Sequence, residues 1–275
     1  MNMPGLIRAE LKRLSKSRSL IVCIVIAVLL GVSMTLLYNY FWEQKGDKIA
    51  ISYALMRQYG LNTELLDTAL SSLPENNFWS YTNIFFTDGG IWLISAACVC
   101  AFLSSEYSMG TLKNSIVRGC RKTDVYLSKL ISGIINILIV AAAYVGSGAV
   151  TALFIVDKSI KVTAGQMVLI IMTYILLLAA TASFFLMLCV IFRRTGFAAA
   201  AAIAAPMLIS SLLNIITSIN ENAASFSKYL LMESFISVQP MVISGRWFVP
   251  VLTAVAYFVI TSAAGLIIFN KTEVR

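Results

Sequence analysis

The chain contains no histidine, which removes the commonest catalytic base and the commonest metal ligand. Charge is scarce as well. Asp, Glu, Lys and Arg make up 12% of the 275 residues, about half the ~25% usual in a soluble domain. There are only five cysteines. Cys23, Cys98, Cys100 and Cys189 lie in apolar stretches, and Cys120 lies in a loop that the charge pattern places inside the cell. None falls in an outer loop, so no disulfide is expected. Cys98 and Cys100 are two residues apart and face different sides of a helix; all five read as small packing residues. With no histidine and almost no acid in the apolar stretches, an intramembrane catalytic site is hard to build, and the chain is not expected to be an enzyme.

What is abundant is hydrocarbon. Hydrophobic residues are 59% of the chain and the mean hydropathy is +0.84. Such a composition belongs to the membrane class, and the fold expected is an all-α membrane protein. Crossing about 30 Å of hydrocarbon takes ~20 helical residues. Six stretches qualify: about 20–41, 84–105, 130–156, 163–192, 196–218 and 247–269. Asp88 is the only ionisable residue inside them, which agrees with the cost of a charge in a bilayer. No interrupted helix or inverted repeat is evident. The basic N-terminus leads into the first stretch with no small-x-small cleavage pattern near its end, which reads as a retained span.

Lysine and arginine set the orientation. The N-terminal tail, loop 106–129, the turn at Arg193 and Arg194 and the C-terminal tail hold 14 of the 21. Acids run the other way, 4 on that side against 9 on the opposite one, so the two sides net +10 and −2. The excess of Lys and Arg predicts that both termini are cytoplasmic. Trp42, Trp79 and Trp247 then fall near the outer interface, which suits indole rings.

Three connecting segments carry more information. Residues 5–18 read as an interfacial amphipathic helix, with Ile7, Leu11 and Leu14 on one side and Arg8, Lys12 and Lys16 on another. Residues 42–83 form a long outer loop with some helical periodicity, and 219–246 is too short and polar to cross, so short helices dipping back from the outer side are expected. Loop 106–129 reads as a short amphipathic helix. Met109, Leu112, Ile116 and Cys120 make one face, Thr111, Asn114, Arg118 and Arg121 the other, and Gly119 ends it. A helix of this kind between two cytoplasmic span ends suits a groove on a soluble partner.

The pattern Glu106-x3-Gly110-Thr111-Leu112-Lys113-Asn114, followed by Gly119-x-Arg121 and Tyr126-x2-Lys129, resembles the signature after the second span of type-2 ABC exporter permeases. It is closest to the compact bacterial permeases of the antibiotic-immunity and bacitracin-resistance type. The resemblance covers the whole chain in layout and is specific over 106–129. It implies that Glu106, Met109, Gly110, Thr111, Leu112, Lys113, Ile116, Arg118 and Arg121 form a coupling helix against an ABC ATPase. The chain has no G-x4-G-K-[ST] phosphate loop of its own, and the resemblance implies that it carries no cofactor and that ATP is bound by the partner subunit. Two ATPase copies and a second permease chain, identical or similar, complete the assembly implied, in a bacterial plasma membrane with lipids around it and no nucleic acid. The cargo implied is amphipathic or hydrophobic, such as a peptide antibiotic or toxin.

Fewer residues stand out within the spans. Ala198 to Ala202, Ala204 and Ala205 give span five a small face for close packing. Pro206 removes one backbone donor there and predicts a kink. Asn136 and Asn214 are mid-span amides that pair between helices or line a pathway. A secondary transporter working alone is the rival reading, and a non-transporting sensor or assembly partner a third. The lack of mid-membrane carboxylates weighs against the rival.

Overall fold

In hydrocarbon every backbone N–H and C=O must find its partner within its own segment, so long apolar stretches free of charge become helices. The structure, a computed structural model, describes residues 3–58, 78–87, 89–108, 120–155, 163–192, 195–219 and 229–271. Every secondary-structure element among them is a helix. In chain order these are α1 (Met3–Ser15), α2 (Arg18–Gln58), α3 (Phe78–Thr87), α4 (Gly90–Ser108), α5 (Lys122–Ile155), α6 (Ala164–Phe192), α7 (Thr195–Ile219), α8 (Leu231–Ile243) and α9 (Phe248–Lys271). Four stretches, Arg18–Tyr40 of α2 and the whole of α5, α6 and α9, are long and apolar enough to cross a membrane. Shorter apolar runs occupy Gly90–Leu103, Gly196–Leu212 and Leu231–Ile243.

The surface is the reverse of a soluble protein's. Leu29, Leu208, Leu252 and Ile260 are 62–66% exposed, as suits side chains whose solvent is hydrocarbon. Inside, Ser128, Ser132, Thr181, Thr253 and Thr261 are buried. Each satisfies its hydroxyl on a carbonyl one turn back in its own helix, so none is left unpaired. Ser183 and Thr261 also bond to each other, joining α6 to α9.

Close backbone approach holds α2 to α5. A Cβ on Gly31 would run into Ser147 Oγ and the carbonyl of Tyr144, so only glycine fits. One turn on, the Thr35 hydroxyl donates to its own helix at Gly31 and lies 3.3 Å from the carbonyl of Gly148. Farther along, Tyr38 meets Tyr81 of α3 edge-on at 4.8 Å, and the Tyr81 hydroxyl donates to Asn39 Oδ1 at 3.2 Å.

Four readings of the sequence need correction or extension. Cys23 of α2 and Cys98 of α4 are joined by a disulfide, with their Cα atoms 6.1 Å apart; the expectation of none considered only outer loops, and this pair joins two helices within the bundle. The helix expected to begin at 84 begins at Phe78 and is interrupted before Gly90. Gly89 there has φ +77°, a left-handed conformation that glycine adopts without steric penalty. The chain therefore does contain a discontinuous helix; Asp88 lies outside the described residues. Helix α2 continues into the expected outer loop as far as Gln58, and α1 covers Met3–Ser15 rather than 5–18. Ser17 separates α1 from α2, its Oγ accepting the Leu20 N–H at 3.1 Å, the usual N-cap arrangement.

Candidate ligand cavity and coupling end

At one end of the bundle α1 packs across the start of α5. Leu6 and Leu14 are buried, Ile7 and Leu11 half-buried, and Arg8, Lys12 and Lys16 exposed; the segment is amphipathic, with Leu6 in the buried face that the spacing reading assigned to Ile7, Leu11 and Leu14. Glu10 of α1 pairs with Lys129 of α5. Both side chains are largely buried, at 15% and 8% exposure, and one carboxylate oxygen of Glu10, Oε2, has no further partner. Arg13 lies 5.7 Å above the ring of Phe102, near the end of α4, in cation–π range. Lys122 Nζ donates to the carbonyl of Asn270 in the last turn of α9 at 3.2 Å, where a cation favours the helix C-terminus. Tyr126 packs on Gly265 and on the Phe269 ring, 5.9 Å away. The start of α5 thus lies between α1 and the end of α9, and Arg13 of α1 reaches the end of α4.

Residues 109–119, expected from the sequence to form a coupling helix, join α4 to α5 in the chain. Glu106 falls in the last turns of α4, with its side chain outside the described residues. Met109, Gly110, Thr111, Leu112, Lys113, Ile116 and Arg118 lie outside them too. Cys120 is buried and Arg121 exposed, just ahead of α5. Glu10 was not singled out from the sequence; its signal is that it is the one acid in a basic amphipathic helix.

The in-span residues separate. Asn136 is buried, its Oδ1 without a partner. The side chain of Asn214 lies outside the described residues. Pro206 sits inside α7, where its missing N–H leaves the carbonyl of Ala202 without its helical partner. Trp92 of α4 supplies one: its indole N–H donates to that oxygen at 2.9 Å. Ala198 and Ala202 are fully buried, so the small face of α7 does serve packing.

Between these helices the aromatic side chains form a continuous group. Phe86 of α3 stacks on Tyr174 of α6 at 3.8 Å and 9°. Tyr174 stacks on Phe235 of α8 at 6.2 Å and donates its hydroxyl to the Phe235 carbonyl. Phe235 meets Trp92 at 6.4 Å, and Trp92 meets Phe185 at 5.2 Å, both edge-on. A cavity lies on each side of this group. The larger, about 310 Å³, is enclosed by α3 (Phe78, Thr82, Phe86), α5 (Leu138 to Gly146) and α6 (Ile170 to Leu178). The smaller, about 70 Å³, lies beside Trp92, Pro206, Leu231 and Tyr257. Neither is lined by Asn136.

Among the described residues no carboxylate, amine or guanidinium lines either cavity. Among the described residues no three His, Cys, Asp or Glu side chains are grouped to hold a metal ion. What the cavities can do chemically is bind apolar matter. Fold and cavities together define an all-helical membrane protein with an aromatic-walled apolar site. By sequence the chain belongs to the family described as protein of unknown function DUF2705, whose profile matches residues 24–275. No curated protein and no solved structure matches it.

Proposed function

We propose that this chain is the membrane-spanning permease subunit of an ATP-driven exporter, crossing a bacterial plasma membrane six times with both termini in the cytoplasm. ATP is hydrolysed by separate ABC ATPase subunits, two copies against two permease chains. The cargo is amphipathic or hydrophobic, of the kind a peptide antibiotic or toxin represents. The observation that carries the reading is the pattern Glu106-x3-Gly-Thr-Leu-Lys-Asn with Tyr126 and Lys129. It joins α4 to α5, and its last two residues are anchored, Tyr126 on α9 and Lys129 on α1. A force applied to that segment would act on three helices at once.

In this reading α3 and α4 together make the second crossing, with the interruption at Gly89 inside it, and α7 makes the fifth. Helix α8, 13 residues long, is too short to cross and dips from the outer side. The apolar lining of both cavities supports a hydrophobic cargo. The interrupted helix is the one feature that favours the secondary-transporter alternative, because such breaks often frame ion and substrate sites.

Affinity purification of the chain from its native membranes decides between them. A co-purifying subunit with a phosphate-loop motif, in a ratio near one to one, is the expected result. Recovery of the chain alone from gently solubilised membranes, with transport intact in vesicles lacking ATP, would favour the alternative.

A further inference from the structure

We propose that the larger cavity, between α3, α5 and α6, holds one acyl chain of a bilayer phospholipid, with the headgroup outside it. The inference requires only that the chain sits in a bilayer, so it stands apart from the pairing with an ATPase.

Size comes first. At about 310 Å³ the cavity is roughly twice the ~150 Å³ of an apolar cavity that stays dry and accepts benzene. It holds roughly ten units of water's ~30 Å³, enough for a substantial part of a lipid chain and too little for two. The lining then selects among occupants. Among the described lining residues the hydroxyls belong to Thr82 and Tyr174, and both already donate to carbonyls, of Phe78 and Phe235. Water needs two to four polar partners, and among the described lining residues it finds only the lone pairs of these two hydroxyl oxygens. A charged or sugar-bearing headgroup finds no countercharge and no free donor among them.

Access settles the source. Ala142 and Ile171 of the lining are exposed, and beside Ile171 the surface continues through exposed Val168, Met172 and Ile175. The opening between α5 and α6 is therefore sideways, from hydrocarbon, where a lipid tail is the molecule present. The stacked pair Phe86–Tyr174 forms part of the wall. Hydrocarbon can lie flat along such rings.

Gly146 gives the test. It lines the cavity, and a Cβ placed on it meets nothing within 4 Å, so Gly146→Phe directs a ring into the space without striking backbone. The purified chain is placed in phosphatidylcholine vesicles with a trace of phosphatidylcholine carrying a diazirine halfway along one acyl chain. After illumination, adducts are mapped by mass spectrometry. Adducts should concentrate on segments 138–146 and 170–178, several-fold above the exposed faces of α2 and α9. Gly146→Phe should lower them to the level of those faces. Gly165→Phe, at an exposed glycine with equal room, should leave them unchanged. Ala142→Leu at the mouth should reproduce the loss if Gly146→Phe does not fold. Even labelling over all lipid-facing helices in the parent chain, or unchanged labelling in a folded cavity variant, would overturn the proposal.

Discussion

Pro206 takes a hydrogen-bond donor out of α7, and Trp92 of α4 puts one back at the carbonyl of Ala202. That bond satisfies the indole inside the bundle, where Trp92 is buried, whereas Trp247 is 45% exposed. Replacing Trp92 by Phe keeps a ring and removes the donor, leaving a buried carbonyl unsatisfied. We expect a loss of ~1–3 kcal/mol, read as lower thermal stability in detergent. In a Pro206→Ala background the helix regains its own N–H at 206, so the same change should cost measurably less. Equal losses in both backgrounds would show that the indole acts through packing alone. In the sequence the proline was plain and its helical consequence readable, but the remedy was not. Residues 92 and 202 are remote in sequence, and nothing in the local periodicity of α4 marks Trp92 as a donor. Gly31 is similar: its need for a bare Cα arises from Tyr144 and Ser147, far along the chain.

At the scale of elements, α1 is the piece whose role the structure enlarges. Its stripe of Ile7, Leu11 and Leu14 and its outward cations were legible from spacing. Its attachment to α5 through Glu10 and Lys129 was not, because a lone acid among basic residues looks like solvent-facing charge. Breaking a buried ion pair by removing one partner costs ~3–5 kcal/mol, whereas replacing both with apolar residues is often close to neutral. Glu10→Leu and Lys129→Leu should therefore each lower stability sharply, and the double variant should recover most of the loss. Thermal unfolding of the four proteins measures this; single losses that simply add in the double variant would mean that the pair is not a unit. The interruption before Gly90 was hidden for a different reason. Gly89 and Asp88 sit within a run apolar enough to read as one helix, and a positive φ leaves no trace in hydropathy.

For the whole molecule, the membrane class followed from scarce charge and long apolar runs, and the helical fold from the need of each segment to pair its own backbone. The end of α4, the start of α5 and the end of α9 lie at the same end of the bundle as α1. The cavity beside Tyr174 could not be foreseen. It needs Ala141, Ala142 and Gly146 to leave room, and Phe86 and Leu178 on other helices to enclose it. Small residues on a helix read equally well as close packing, which is what the alanines of α7 provide.

The central claim is that the segment after α4 receives an ATPase, and one substitution tests it most directly. Leu112 lies on the apolar face read for that segment, and an aspartate there would bury an unpaired charge in the contact. Leu112→Asp should insert normally and reach normal abundance, yet no longer co-purify the ATPase and no longer support transport. Lys161→Asp, in a connection that the charge pattern assigns to the outer side, should keep both. An ATPase still bound and cargo still transported by Leu112→Asp would contradict the coupling assignment and move the stand-alone transporter to first place.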